Sequence, residues 1–178
     1  MKRWIAAFAV TTGVLIGACE QEPPFQDPFK RPQIDWRPAL VFDTGKATRI
    51  LGNPSRLEKT TAYSDAGTRV YQAAFRDDWL DPATGKTGIV YYMYEEYPDA
   101  GAARAFLDST VLANHLDPAD GIRTAGGAEL HYLTGGTVVR MALVLKGNRL
   151  VRLKVNQLTS RYRLDEFKTI VTSLADQL

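Results

Sequence analysis

The run Ile89-Val90-Tyr91-Tyr92-Met93-Tyr94 is apolar or aromatic at every position. A strand built from it needs cover on both faces, so it belongs in the interior of a sheet. That requirement organises the rest of the chain. Strand-like runs precede it at about 57–64 and 68–77, and its own run extends over 87–96. Asp81-Pro82-Ala83-Thr84-Gly85 supplies turn chemistry between the second and third. Upstream, Asp43 or Thr44 can cap a short helix with Ala47, Ile50 and Leu51 on one face. Gly52-Asn53-Pro54 stops it.

A second set of elements follows. A helix begins near Pro98-Asp99, with Ala103, Phe106, Leu107 and Val111 on one stripe that ends at Asn114. Strands are expected near 122–132, 136–146 and 149–157. A last helix over about 163–177 carries Leu164, Phe167, Val171, Leu174 and Leu178 on one stripe. The element order is α-βββ-α-βββ-α, with no residue-level repeat. Short turns join neighbouring strands, so they pair antiparallel. The expected fold class is α+β: one mainly antiparallel sheet of about six strands, packed with two amphipathic helices on a face. Helices on both faces are the competing arrangement, because the third strand is apolar on both sides. In the final hairpin, a two-residue Gly147-Asn148 turn would set Leu143 against Arg152 and Met141 against Lys154. A three-residue turn or a bulge would instead keep apolar residues together, and burial favours that register.

The 178 residues are 45% apolar and 24% charged, with a formal net charge of +2. That suits one domain and excludes a disordered chain or a strongly basic nucleic-acid binder. Residues 1–18 stand apart. Lys2 and Arg3 precede an almost wholly apolar run from Trp4 to Ile16. At about 1.5 Å per residue this run falls short of the roughly 30 Å of a bilayer core. It reads as the apolar region of a secretory signal. Residues 19–38 contain Pro23, Pro24, Pro28, Pro32 and Pro38, five of the nine prolines. Such density suppresses helix and central strand and predicts an extended tether before a domain over 39–178. Phe25, Phe29 and Trp36 lie within it.

The signal ends in Leu15-Ile16-Gly17-Ala18-Cys19, and Cys19 is the sole cysteine. This resembles the lipobox of bacterial lipoproteins. The resemblance implies a diacylglycerol on the Cys19 sulfur, cleavage before Cys19 and acylation of the new amino group. Lys2 and Arg3 would leave with the signal, so the mature chain would be formally neutral. Membrane attachment would then come from acyl chains, at about 0.8 kcal/mol per buried CH₂. In such lipoproteins an aspartate after the cysteine favours inner-membrane retention. Glu20 stands there in this chain, which leans towards the outer membrane, facing the periplasm. Arg49-Ile50-Leu51-Gly52-Asn53-Pro54 is also similar to the helix-ending Leu-Gly-x-Pro of small lipoproteins of the outer-membrane β-barrel assembly machine. The extra helix and second set of strands depart from that pattern.

Chemistry-bearing patterns are sparse. Cys19 is claimed by the lipid, and there is no Gly-x-Ser-x-Gly elbow. Ser109, His115 and Asp117 straddle a helix end, and His131 lies on another element. The acidic loop Asp77, Asp78, Asp81 has Pro82 where a calcium loop needs its turn glycine. Gly85-Lys86-Thr87 follows Leu80, not the first glycine of a phosphate loop. Glu95 and Glu96 are adjacent on a strand and face opposite sides. No catalytic residue, metal or cofactor is expected. Arg140, Arg152 and Lys154 alternate with apolar residues and could form a basic face for glycan carboxylates or lipid phosphates. Tyr91, Tyr92 and Tyr94 could form a shelf for sugar or peptide. The leading expectation is a lipid-anchored envelope protein with a non-catalytic binding or support domain, meeting an envelope protein or glycan. The alternative is an envelope enzyme acting on peptidoglycan, lipid or peptide.

Overall fold

A computed structural model describes residues 31–82, 85–115, 121–135, 138–156 and 161–178. The expected signal segment, Cys19 and the expected tether up to residue 30 lie outside the described residues. The elements run α1 (Thr44–Leu51), β1 (Ser55–Asp65), β2 (Thr68–Leu80), β3 (Thr87–Glu96), α2 (Ala100–Ala113), β4 (Ile122–Arg123), β5 (Glu129–Gly135), β6 (Val138–Lys146), β7 (Arg149–Val155) and α3 (Arg161–Gln177). All seven strands join one antiparallel sheet in the order β1-β2-β3-β7-β6-β5-β4. The last strands of the two halves, β3 and β7, therefore meet inside the sheet.

The expected α+β class with an antiparallel sheet holds, with seven strands in place of six. The run read as one strand over 122–132 is two. Thr124 N–H donates to the Ala128 carbonyl at 2.9 Å, and Gly127 turns the chain with φ of 80°. A glycine pair inside an apparent strand marked that turn.

Local capping explains the helix starts. Asp43 accepts from Lys46 N–H at 2.8 Å and Asp99 from Ala102 N–H at 2.8 Å, each satisfying an orphan donor of the first turn. Gly52 ends α1 in the left-handed region, its N–H donating to the Thr48 carbonyl.

The helices cover both faces of the sheet, so the expectation of a single covered face is corrected. α1 packs on β1–β3 and on α3, and α3 packs on β6. Beneath them lie Phe75, Val90, Tyr92, Val144, Val151 and Leu153. α2 packs on β6 and β7 from the other side, over Leu143, Leu145 and Leu150. The two-sided apolar character of β3 and of its neighbours demanded this.

Two-sided cover also decides the final hairpin. Lys146 pairs with Arg149, Leu143 with Arg152 and Met141 with Lys154, without a bulge between them. The expected three-residue turn is overturned. Gly147 takes φ of 60°, and Asn148 is not among the positive-φ residues, the pattern of a type II′ turn. Ala142, Val144, Val151 and Leu153 are buried on one face while Leu143, Leu145 and Leu150 are buried on the other. Neither register could put every apolar side chain on one face, so the turn's local preference prevails.

Residues 31–38 are not a free spacer. Ile34 N–H donates to the Ala62 carbonyl at 3.0 Å, and Gln33 bridges Tyr63 on the outer edge of β1. Trp36 packs on Tyr94 with ring centroids 5.9 Å apart, and Pro38 is buried. Leu40 and Phe42 continue into the core, where the Tyr92 hydroxyl donates to the Leu40 carbonyl. Residues 31–38, expected to lie in the tether, thus pack with the domain expected over 39–178.

Candidate functional site: an open half of the sheet

β1, β2, β3 and β7 bring side chains from distant segments into transverse rows on the face that carries α2. Lys59 pairs with Ala74, Ala74 with Tyr91, and Tyr91 with Lys154. The next row holds Thr61, Gln72, Met93 and Arg152. Antiparallel partners point to the same side, so these eight residues share one surface. α2 lies over β6 and β7 and leaves the β1–β3 half of this face open. Tyr91 is 44% exposed there, with Lys59 and Lys154 exposed on either side of it. Of the expected tyrosine shelf, only Tyr91 remains on the surface. Tyr92 and Tyr94 point the other way into the core, by strand alternation.

A buried ion pair borders the open half. Arg152 Nη2 donates to Glu95 Oε1 at 2.7 Å and also contacts the Met93 sulfur, while its guanidinium lies 5.1 Å from the Phe106 ring centre. The Glu95 side chain is 6% exposed. Burial raises its carboxyl above the usual glutamate range, and the Arg152 charge opposes that rise. Among the described residues, Glu95 Oε2 and Arg152 Nε are buried without a hydrogen-bond partner. Glu96 faces the opposite side and pairs with Arg69 at 2.7 Å.

The expected basic face therefore changes in composition. Arg152 is committed to Glu95. Lys154 is exposed beside Tyr91. Arg140 stands in β6 where the register with β5 shifts, and its side chain lies outside the described residues.

A second polar cluster pins α2 to the sheet beyond β7. Arg104 on α2 grips Glu129 on β5 through two bonds of 2.7 Å. His131 Nε2 sits 2.8 Å from Glu129 Oε1, and Arg123 approaches Oε2 at 3.5 Å. The Arg104 bonds hold the Glu129 carboxyl well down, at about 2, against the effect of burial. Glu129 and His131 are 5% and 3% exposed in their side chains, and the backbone of Gly121 closes over the imidazole. With both carboxylate oxygens engaged and solvent shut out, the cluster clamps one element to another. The network of Arg104, Glu129 and His131 escaped the sequence reading. The signal was present: Glu129 and His131 share strand parity with Leu133, so charged and apolar residues occupy one buried face.

The remaining sequence candidates do not converge. The Ser109 hydroxyl donates to the Phe106 carbonyl within α2, His115 is exposed, and Asp117 lies outside the described residues. Asp77 is buried and accepts from Gly88 N–H at 2.8 Å, whereas Asp78 is exposed and pairs with Arg56. Among the described residues, no three His, Cys, Asp or Glu side chains form a group that could hold a metal ion. No helix among the described residues is long and apolar enough to cross a membrane. Set against known proteins, the chain matches no family model, no curated protein and no solved structure.

Proposed function

We propose that this chain is a lipid-anchored cell-envelope protein whose domain binds an envelope partner without catalysis, through the open half of its sheet. The observation that carries the reading is the sole cysteine at the end of Leu15-Ile16-Gly17-Ala18-Cys19, behind a short charged and apolar leader. Two or three acyl chains on Cys19 would hold the protein durably in a membrane. The absence of an aspartate after that cysteine, where Glu20 stands, leans towards the outer membrane, with the domain facing the periplasm. A binding role is preferred to the enzyme alternative because the prominent exposed groups of the open face outside ion pairs are an aromatic ring and two ammonium groups. Glu95, Glu129 and His131 on this side of the sheet are buried and engaged, and the exposed carboxylates Glu58 and Asp78 are paired with Arg76 and Arg56.

Metabolic labelling with radioactive palmitate tests the anchor. The wild-type chain takes up label and fractionates with outer membrane on a density gradient. Cys19→Ser takes up none and keeps its leader, because a hydroxyl does not replace the thiol as acceptor. Label on the Cys19→Ser chain would overturn the proposal.

A further inference from the structure

We infer that the open half of the sheet is a binding site for an oligosaccharide bearing carboxylate groups, with Tyr91 as its stacking platform and Lys59 and Lys154 as its charge contacts. This names the partner class of the binding face proposed above and rests on that reading. The row Lys59–Ala74–Tyr91–Lys154 crosses four adjacent strands. Its two lysines are three strand spacings apart, roughly 14 Å between backbones. Between them the surface is low at Ala74 and aromatic at Tyr91, so a flat ring can lie on the sheet while charges at its two ends reach an ammonium group.

Charge bookkeeping supports an anionic ligand. Five cations stand on this half-face, Arg56 being held by Asp78. Arg76 is matched by Glu58 at 3.1 Å, and Arg152 by Glu95. Among the described residues Lys59 and Lys154 have no carboxylate partner, although both are exposed. The face thus offers two separated positive charges with no competing acid in their row. One row along, Thr61 adds a hydroxyl and Gln72, whose Nε2 already donates to Tyr63 Oη at 3.1 Å, adds an amide oxygen, both suited to sugar hydroxyls.

Magnitudes favour a glycan over a lipid surface. Two lysines contribute about 1 kcal/mol each at an anionic membrane, too little to hold a face there without a wider basic patch. An aromatic ring used as a stacking anchor can dominate a small interface.

The test uses the full-length chain, purified from membranes in non-ionic detergent and titrated calorimetrically. The probes are a tetramer of galacturonic acid, its methyl ester and a soluble glycan strand bearing lactyl carboxylates. At least one carboxylated probe binds, and the methyl ester binds at least tenfold more weakly. Tyr91→Ala weakens binding roughly tenfold. Lys59→Gln and Lys154→Gln each weaken it roughly three- to fivefold. Lys168→Gln, on α3, changes nothing. Each variant's thermal unfolding is recorded, so that a folding defect is seen separately. Binding fades as salt is raised. Failure of both carboxylated probes, or equal binding of the ester, overturns the inference. So does binding only to vesicles containing phosphatidylglycerol or to an acidic peptide. The palmitate result is independent of these titrations, so loss of the anchor reading and loss of the glycan reading are told apart.

Discussion

Leu143 and Arg152 stand directly opposite each other in the β6–β7 ladder, Leu143 wholly buried and the Arg152 side chain 26% exposed. A charged residue opposite a core leucine is tolerable here because the guanidinium is carried away to Glu95 on β3 and onto the Phe106 ring of α2. The pair joins the two halves of the chain across the β3–β7 seam, where burial is deep and each charge depends on the other.

That dependence can be measured. Arg152→Met leaves the Glu95 carboxylate buried without its partner and should destabilise the fold by about 3–5 kcal/mol. Arg152→Met combined with Glu95→Leu removes both charges and should recover most of the loss. Urea denaturation of the two single variants and the double variant gives the cycle. A double variant no more stable than Arg152→Met would mean that packing, and not the charge, sets the cost.

Glu129 makes stability depend on acid. Its folded-state value of about 2 lies below the ordinary glutamate value. A depressed value gives a contribution that is complete above the ordinary value and lost as pH falls from about 4.5 towards 2. We expect about 2 kcal/mol of wild-type stability to disappear across that window. Glu129→Gln should be less stable at neutral pH and show a flatter profile between pH 5 and pH 2. Parallel profiles for the two chains would show that the acid sensitivity resides elsewhere.

The segment before Ala39 should contribute to stability. A chain beginning at Arg31 should unfold like the full domain. One beginning at Ala39 loses Trp36 from its place against Tyr94 and exposes the outer edge of β1. Burial of one large side chain is worth about 1.5–3 kcal/mol. The expected fall in Tm is roughly 3–12 °C at 2–4 °C per kcal/mol. Identical melting curves for the two chains would show that residues 31–38 merely rest on the sheet.

The β1–β2 hairpin offers a stabilising change. Ala66 has φ of 47° and Gly67 φ of 82°, so both central positions are left-handed. Alanine costs about 1–2 kcal/mol in that region. Ala66→Asn creates the Asn-Gly pair that such turns prefer and should raise stability by about 1 kcal/mol. Calorimetric Tm is the readout, and a lowered Tm would contradict the turn assignment.

Much of the architecture was legible in local pattern. The stripe Ala103, Leu107 and Val111 faces the core, Asp43 and Asp99 cap their helices, and Gly52 ends α1. These features depend on contacts within a few residues, which composition and spacing record directly. The two-strand reading of 122–132 was missed because a strand pattern and a glycine-centred turn look alike when the partner strand is unknown. Of the candidate site, Lys154 and Tyr91 were visible as members of a strand, whereas Lys59 was not singled out at all. It joins them only through two intervening ladders.

By itself the sequence determined the α+β class, the helix caps and stops and the interior position of β3. Each follows from the conformational limits or the apolar periodicity of neighbouring residues. Tertiary structure alone decided which faces the helices cover, the register of the last hairpin and the commitment of Arg152 to Glu95 instead of to a ligand. It also placed Lys59 and Lys154 at the two ends of one row. The reason is physical. Burial on both faces removes the one-sided pattern from which register is read, and an ion pair between residues 57 positions apart exists only once β3 and β7 have met.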